Sequence, residues 1–544
     1  MARDNDEVLV GGKPGAVHDE HIVIQEDSKT TWECLKANPK IVLWTLWANS
    51  SYTVLPLLCT LPLDGRRLII FTVGPLMVGY ENLAMSVCLA MPAFQMRFSV
   101  DVDGELIIPA YWQSLWSSLY NVTTMLGSVS AGYCQDRFGR RSVFLASIII
   151  AVAGIALTFV SKTPAEFLGG KMTSGFAMGL ILAGSQTWVS EIAPLPLRGI
   201  ALSTYAIMLN LGLLLAISAT FSRISIMNDW AFRVVFAAAW VFPSLLALGL
   251  PFMPESPYWL TLKNKHDRAR HALIRLSPNK DGIDARLVQI QHSIETERRL
   301  AVQKTSYAQL LRGTNLRRTR ILLICMYMPQ IVGTVLSSNA PYFLNQTGMD
   351  NHTTVMILQI AVSCGVVSAV LNVFAMSKFN YRTLMFFGVS ICVALYLAMG
   401  IAGTMTRTPA TLTVIGIAVA FPSISYGPAV GASMSVAGEV SSINLRAKSL
   451  ALGQAFSSVV STIWQIILPY LFNRDQANMG GNIGWIFFGM AVIYLVVLYV
   501  DVPDTKGHTY EQLDIMFQKK VPARQFPSYV LGGTNDLESS ISFA

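Results

Sequence analysis

Charge is scarce in this sequence. Asp, Glu, Lys and Arg make up 13% of its 544 residues, against roughly 25% in ordinary soluble domains. Apolar residues reach 53%, and the mean hydropathy is +0.47. A soluble core cannot absorb that much apolar surface, so lipid is the expected solvent for much of the chain. Paired metal ligands are also missing. The seven cysteines (Cys34, Cys59, Cys88, Cys134, Cys325, Cys364 and Cys392) are scattered, mostly in apolar runs, and read as small buried hydrophobes. The seven histidines fall in tails and loops. No phosphate-binding loop and no room for a nucleotide domain are found, so an enzyme, a resident cofactor, a bound metal and an ATP-driven pump are not expected. Nucleic acid is excluded as a partner. The net charge of +8 sits in short loops between apolar runs, where it is an orientation signal. Asp4, Asp6 and Glu7 open the chain with no early apolar stretch. The first membrane helix, rather than a cleavable signal, is therefore expected to direct targeting.

What is present is a series of long apolar runs: 113–134, 143–160, 167–190, 200–222, 231–252, 320–344, 354–376, 383–403, 410–437, 448–472 and 483–502. Each supplies about the 20 residues that a spanning helix needs, and 39–95 supplies one more. The sequence thus predicts an all-α membrane protein with twelve transmembrane helices in two six-helix, pseudo-symmetric bundles. The expected divisions are a cytoplasmic tail (1–38), a first bundle (39–253), a cytoplasmic linker with surface helices (254–319), a second bundle (320–502) and a cytoplasmic tail (503–544). Arg137, Arg140, Arg141, Arg198, Arg382, Arg446 and Lys448 all fall in loops on one face, which the positive-inside rule makes cytoplasmic. Both termini then lie there. The sequons Asn345-Gln346-Thr347 and Asn351-His352-Thr353 fall on the opposite face.

The two halves echo each other. Glu191…Arg198 and Glu439…Arg446 each read Glu, six residues, Arg. Pro254-Glu255-Ser256 is echoed by Pro503-Asp504-Thr505. A membrane protein of two similar halves is the sequence form of a transporter with parallel repeats. One region breaks the pattern. Residues 39–49 and 74–92 read as two parts of one helix, while 50–73 between them holds Pro56, Pro62, Asp64, Arg66 and Arg67, which do not belong in a span. A translated intron and a genuine extra loop are both compatible with it.

The loop Gly132-Tyr133-Cys134-Gln135-Asp136-Arg137-Phe138-Gly139-Arg140-Arg141 carries the first of five motifs. The others are Glu191…Arg198, Pro254-Glu255-Ser256-Pro257, Gly427-Pro428…Glu439…Arg446 and Pro503-Asp504-Thr505-Lys506-Gly507. Together, from about residue 74 to 515, they resemble the sugar porter family of the major facilitator superfamily. Ala340-Pro341-Tyr342-Phe343 and Gly480-Gly481-Asn482-Ile483-Gly484 look more narrowly like fungal α-glucoside (maltose-type) proton symporters. Departures lie at Lys378…Arg382, at Pro329-Gln330, at Val335, and at Gly431, where the family often has Trp. The resemblance implies proton-coupled import of an α-glucoside such as maltose, by a plasma-membrane, multi-pass monomer whose partners are a small-molecule sugar and the lipid bilayer. A polyol or quinate-type transporter and a non-transporting sugar sensor are the alternatives.

A carboxylate in an apolar span is costly unless paired or protonated, which singles out Glu81 as a proton carrier. Gly170-Lys171-Met172-Thr173-Ser174-Gly175 resembles a Gly-Arg motif of the family and makes Lys171 its partner. A permanent structural ion pair is the competing reading. Protons would be the coupling ion. Gln330, Asn339, Tyr342, Gln113, Asn121, Gln186 and Asn210 are candidate sugar ligands, since sugars need neutral amides and aromatic faces; each could instead join helices. For Asp136, Arg137, Arg140, Arg141, Glu191, Arg198, Arg382, Glu439 and Arg446 the resemblance implies a cytoplasmic gate of inter-helix ion pairs. Simple anchoring of loop charges is the plainer alternative.

Overall fold

Apolar runs with few internal breakers fold into helices because lipid leaves the backbone no other hydrogen-bond partner. The computed structural model describes residues 73–102, 105–192, 195–276, 283–302, 307–441, 445–507 and 510–528. Residues 39–72, which include most of the split first span and its insert, lie outside the described residues. The first described helices are α1 (Val73–Leu89) and α2 (Pro92–Phe98), which meet at 76°. Pro92 at the first turn of α2 fixes that bend. A small ribbon follows, β1 (Val100–Val102) antiparallel to β2 (Glu105–Ile107). The sequence reading did not include it.

Five spans complete the first half: α3 (Ala110–Phe138), α4 (Arg140–Val160), α5 (Pro164–Ile192), α6 (Leu195–Phe221), and a pair, α7 (Trp230–Ala238) with α8 (Val241–Gly249). The middle segment holds α9 (Pro257–Leu262), α10 (His266–Leu276) and α11 (Ile283–Val302). The second half comprises α12 (Gly313–Ile331) with α13 (Thr334–Gln346), α14 (Asn351–Lys378), α15 (Tyr381–Thr404), α16 (Pro409–Ala420) with α17 (Pro422–Val440), α18 (Arg446–Phe472) and α19 (Ile483–Asp501). A short α20 (Tyr510–Gln518) follows. Eight of these crossings are long and apolar enough to span a membrane, and the bent α1–α2 pair makes a ninth. The remaining three are α3, α5 and α6, of 29, 29 and 27 residues. At 1.5 Å per residue each exceeds the ~30 Å hydrocarbon layer. The architecture is the twelve-helix, two-bundle one.

Two runs that read as continuous are broken. Gly333 adopts φ +75°, a left-handed conformation that ends α12, and the Thr334 hydroxyl donates to Pro329 O at 2.6 Å. Pro422 separates α16 from α17.

Helices approach closest where glycine removes the side chain. A Cβ on Gly79 of α1 would stand 2.1 Å from Leu209 O of α6, and one on Gly212 of α6 would stand 2.1 Å from Leu76 O of α1. The same reciprocal contact joins α3 to α5 through Gly127 and Gly179. Between the halves the broadest seams are α3 against α18 and α6 against α14, and α1 against α13 adds a smaller third.

Candidate functional site

Lys171 and Glu81 meet inside the first half. Gly170 and Gly175 explain how. A Cβ at Gly170 would strike Thr158 of α4, and one at Gly175 would strike Thr123 and the Tyr120 carbonyl of α3. The two glycines let α5 press into α3 and α4, which carries the intervening Lys171 toward α1. Its Nζ lies 2.8 Å from Glu81 Oε2, and both side chains are buried. The same ammonium sits 4.8 Å from the centroid of the Tyr120 ring, a cation–π contact on its other side. Removing one partner of such a buried pair costs about 3–5 kcal/mol, because the remaining charge is left uncompensated.

The amides predicted as ligands divide into groups. Gln330 is buried at the end of α12, next to the α12–α13 break, and its Oε1 has no hydrogen-bond partner among the described residues. Asn339 on α13 donates from Nδ2 to Val335 O at 2.9 Å and to Gln465 Oε1 of α18 at 3.4 Å. Gln465 was not anticipated; it sits in an ordinary apolar run beside Trp464. Asn121 is half-buried on α3 and Gln186 exposed on α5. Asn210 is buried on the α6–α14 seam, its Oδ1 3.4 Å from where a Cβ of Gly365 would stand.

Gln113 and Tyr342 belong to a separate cluster at the end of the seam remote from the loop arginines. Gln113 Nε2 donates to Ile108 O at 2.7 Å and to Asn473 Oδ1 at 3.2 Å, and Asn473 Nδ2 donates to Ile108 O at 3.0 Å. The Ile108 N–H donates to the Tyr342 hydroxyl at 3.3 Å. Four side and main chains from both halves thus form one clasp. Asn473 carries no motif that could have revealed it. The Ser114 hydroxyl extends the seam, donating to Ile466 O at 2.9 Å.

On the arginine face, Gly139 turns α3 into α4 with φ +91°. Beside it, the Glu255 carboxylate accepts from the N–H groups of Arg140 (2.9 Å) and Arg141 (3.3 Å), an anion at a helix N-terminus. The buried Arg140 guanidinium reaches Glu191 Oε1 at 2.5 Å, Gln135 O at 3.1 Å and Asp136 Oδ1 at 3.6 Å. Arg137 is exposed and donates to the Tyr133 hydroxyl; the Arg141 side chain reaches Pro251 O at 3.4 Å. These contacts lie within the first half rather than across the seam. In the second half Lys506 Nζ donates to the carbonyls of Met376, Ser377 and Phe379 at 2.8, 2.9 and 2.7 Å, a cation at the C-terminus of α14. Arg382 donates to Tyr499 O at 2.6 Å and lies over the Phe386 and Tyr499 rings. Glu439 Oε2 accepts from the Thr505 hydroxyl at 2.6 Å. Arg198 and Arg446 lie in the first turns of α6 and α18, with side chains outside the described residues.

Residues 68–517 match the family described as Sugar (and other) transporter. The chain is 28% identical to MFS transporter fmqE of Aspergillus fumigatus, over 92% of each chain. It is 26% identical to the general alpha-glucoside permease of Saccharomyces cerevisiae, over 93% of this chain and 80% of that one. Among solved structures, the inward open conformation of the xylose transporter XylE from E. coli covers 83% of this chain and 99% of its own, with a TM-score of 0.66 at 21% identity. That likeness concerns the fold.

Proposed function

The chain belongs to the sugar (and other) transporter family of the major facilitator superfamily, a transporter and not an enzyme, and on that premise we propose that it imports an α-glucoside such as maltose together with protons, by alternating access. The observation that carries the proposal is the buried Glu81–Lys171 pair at 2.8 Å. Protonating Glu81 removes its charge, frees Lys171 and relaxes the tie between α1 and α5. Deprotonation on the other side re-forms the tie. A carboxylate that alternates between these two conditions couples a proton to the movement of the half that contains it.

Sugar in this reading lies against the α12–α13 break, where Gln330 offers an unpartnered carbonyl oxygen and Asn339 with Gln465 offers a second amide pair. Those are the neutral groups that sugar hydroxyls require. In this reading the clasp of Gln113, Asn473, Ile108 and Tyr342, on the face opposite the arginines, serves as the outer closure. The arginine face is cytoplasmic, both termini lie there, and the protein works as a monomer in the plasma membrane. Support for α-glucosides comes from the yeast permeases, which align over most of this chain.

The test is uptake of labelled maltose, a polyol and quinate in transporter-deficient cells at acidic and neutral external pH. Maltose accumulation that rises in acid and collapses with a protonophore supports the proposal. Uptake of the polyol or quinate without maltose overturns the substrate, and pH-independent maltose equilibration overturns the coupling.

A further inference from the structure

Away from the central path, the outer wall of the second half carries a groove between α12, α18 and α19, of 770 Å³. That is within the range of small-molecule sites, about 300–1,000 Å³. Leu316, Leu323, Ile324, Tyr327, Phe456 and Tyr494 supply its walls. Few polar groups are on offer: Tyr494 already donates its hydroxyl to Ile324 O at 2.8 Å, and Thr319 donates to Leu310 O at 2.8 Å. A sugar would find little to bind here, whereas a hydrocarbon chain would find a matching surface. The neighbouring surface faces lipid. The α18 stripe that includes Phe456 continues through Val459 and Ile463, 51% and 46% exposed, and α19 adds Ile493 and Val496, 66% and 58% exposed.

One end of the groove is cationic. Arg317 and Arg320 line it, in the first turns of α12 on the arginine face. Arg320 pairs with Asp501, and the neighbouring Arg318 turns inward to Asp514. Both nearby carboxylates are thereby engaged. Among the described residues no carboxylate lies within 4 Å of Arg317, whose guanidinium rests 5.5 Å from the Phe517 ring centroid. Arg317 is half-buried, and Arg312, just before α12, is exposed. A guanidinium at the lip of an apolar groove matches a phosphate at the head of an acyl chain.

We infer that this groove binds one anionic glycerophospholipid, with an acyl chain along Leu323, Tyr327 and Phe456 and the phosphate at Arg317 and Arg320. A zwitterionic lipid brings its own cation toward Arg317 and is the poorer occupant. The site is independent of the central sugar path and of the Glu81–Lys171 pair.

Full-length protein is reconstituted in nanodiscs of phosphatidylcholine mixed with phosphatidylglycerol, and the lipid retained per chain after delipidation is read by native mass spectrometry. One retained phosphatidylglycerol per chain is expected. Arg317→Gln should lower its retention roughly tenfold, as for loss of a hydrogen bond to a charged group, and Arg317→Lys should lower it less. Leu323→Trp fills the groove without changing charge and should also reduce retention, while inorganic phosphate should not displace the lipid. Equal retention of the two lipids in the unaltered protein overturns the inference, as does unchanged retention in Arg317→Gln. Normal retention in Leu323→Trp, or displacement by phosphate, reduces the site to a surface charge patch and overturns the groove.

Discussion

The Thr505 hydroxyl donates to Glu439 Oε2 at 2.6 Å; in the first half the matching segment makes a different contact, Glu255 accepting from the Arg140 and Arg141 N–H groups. The sequence echo of Pro254-Glu255-Ser256 by Pro503-Asp504-Thr505 is thus an echo of position rather than of identical contacts. In each half the segment leaving the sixth span folds back onto helix ends of the arginine face, Glu255 onto the start of α4 and Thr505 onto the end of α17.

Thr505→Val keeps the shape of the buried side chain and removes its donor. A hydrogen bond to a charged group contributes about 1.5–3 kcal/mol, so the melting temperature of the purified protein should fall. Glu439→Gln combined with Thr505→Val should cost less than the two single changes added together. Strict additivity in that double-mutant cycle would show that the contact carries no energy.

Glu81→Gln should abolish accumulation against a gradient and spare some exchange. The amide cannot release a proton, yet it keeps the size of the carboxylate beside Lys171. Concentrative uptake equal to that of the unaltered protein would remove Glu81 from the coupling step.

Gly79→Ala and Gly212→Ala should each sharply reduce the amount of folded protein. The added Cβ meets a backbone carbonyl oxygen at 2.1 Å, which cannot swing aside as a side chain could. Expression read by size-exclusion fluorescence checks this. Gly132→Ala, where a Cβ meets nothing within 4 Å, is the control that should fold normally.

Glu191→Ala and Asn473→Ala should displace the transport cycle in opposite directions. The first removes the nearer of the two carboxylates that Arg140 meets on the arginine face and should raise labelling of single cysteines from that side. The second opens the clasp with Gln113 and should raise labelling from the other. Labelling that moves the same way in both variants contradicts the assignment of the two faces.

Acid should loosen α10 from α11. The Arg270 guanidinium hydrogen-bonds Asp284 and holds its carboxyl below the ordinary range. Stability from a depressed carboxyl is present above its unfolded value of about 3.9 and is lost as pH falls through the folded value. Hydrogen exchange of α10 should therefore accelerate only in that acidic window and not between neutral pH and pH 6. The pair is fully exposed, so the effect should be small and should disappear at high salt.

Much of this was legible in the sequence because lipid simplifies the reading. Twelve crossings follow from run length alone, and the family resemblance follows from five loop motifs. Glu81 stood out because a carboxylate in an apolar run needs a partner, and the resemblance of Gly170-Lys171-Met172-Thr173-Ser174-Gly175 to a Gly-Arg motif of the family marked Lys171 as that partner. The clasp was not legible. Gln113 and Asn473 are 360 positions apart, and an Asn at a helix end has many ordinary roles. Gln465 was hidden in the same way, since periodicity shows which face of a helix is polar but not which helix it meets. The break at Gly333 depends on a single backbone conformation within a continuous apolar run. Where their side chains are described, the predicted gate charges make their contacts without crossing from one bundle to the other. The β1–β2 ribbon lies in a loop too short for alternation to register.

Two reciprocal glycine contacts rivet α1 to α6 at Gly79 and Gly212, backbone against backbone. A rivet at two points fixes angle as well as position, so the pair can swing but cannot shear. Glu81 rides on one member of this beam, and Asn210, at the seam with α14, rides on the other. Under the proposed coupling, a displacement that begins when Lys171 lets go of Glu81 would pass along this beam to the boundary between the halves. At those two points backbone meets backbone, so under the proposed coupling a local change of charge would become leverage on half of the molecule.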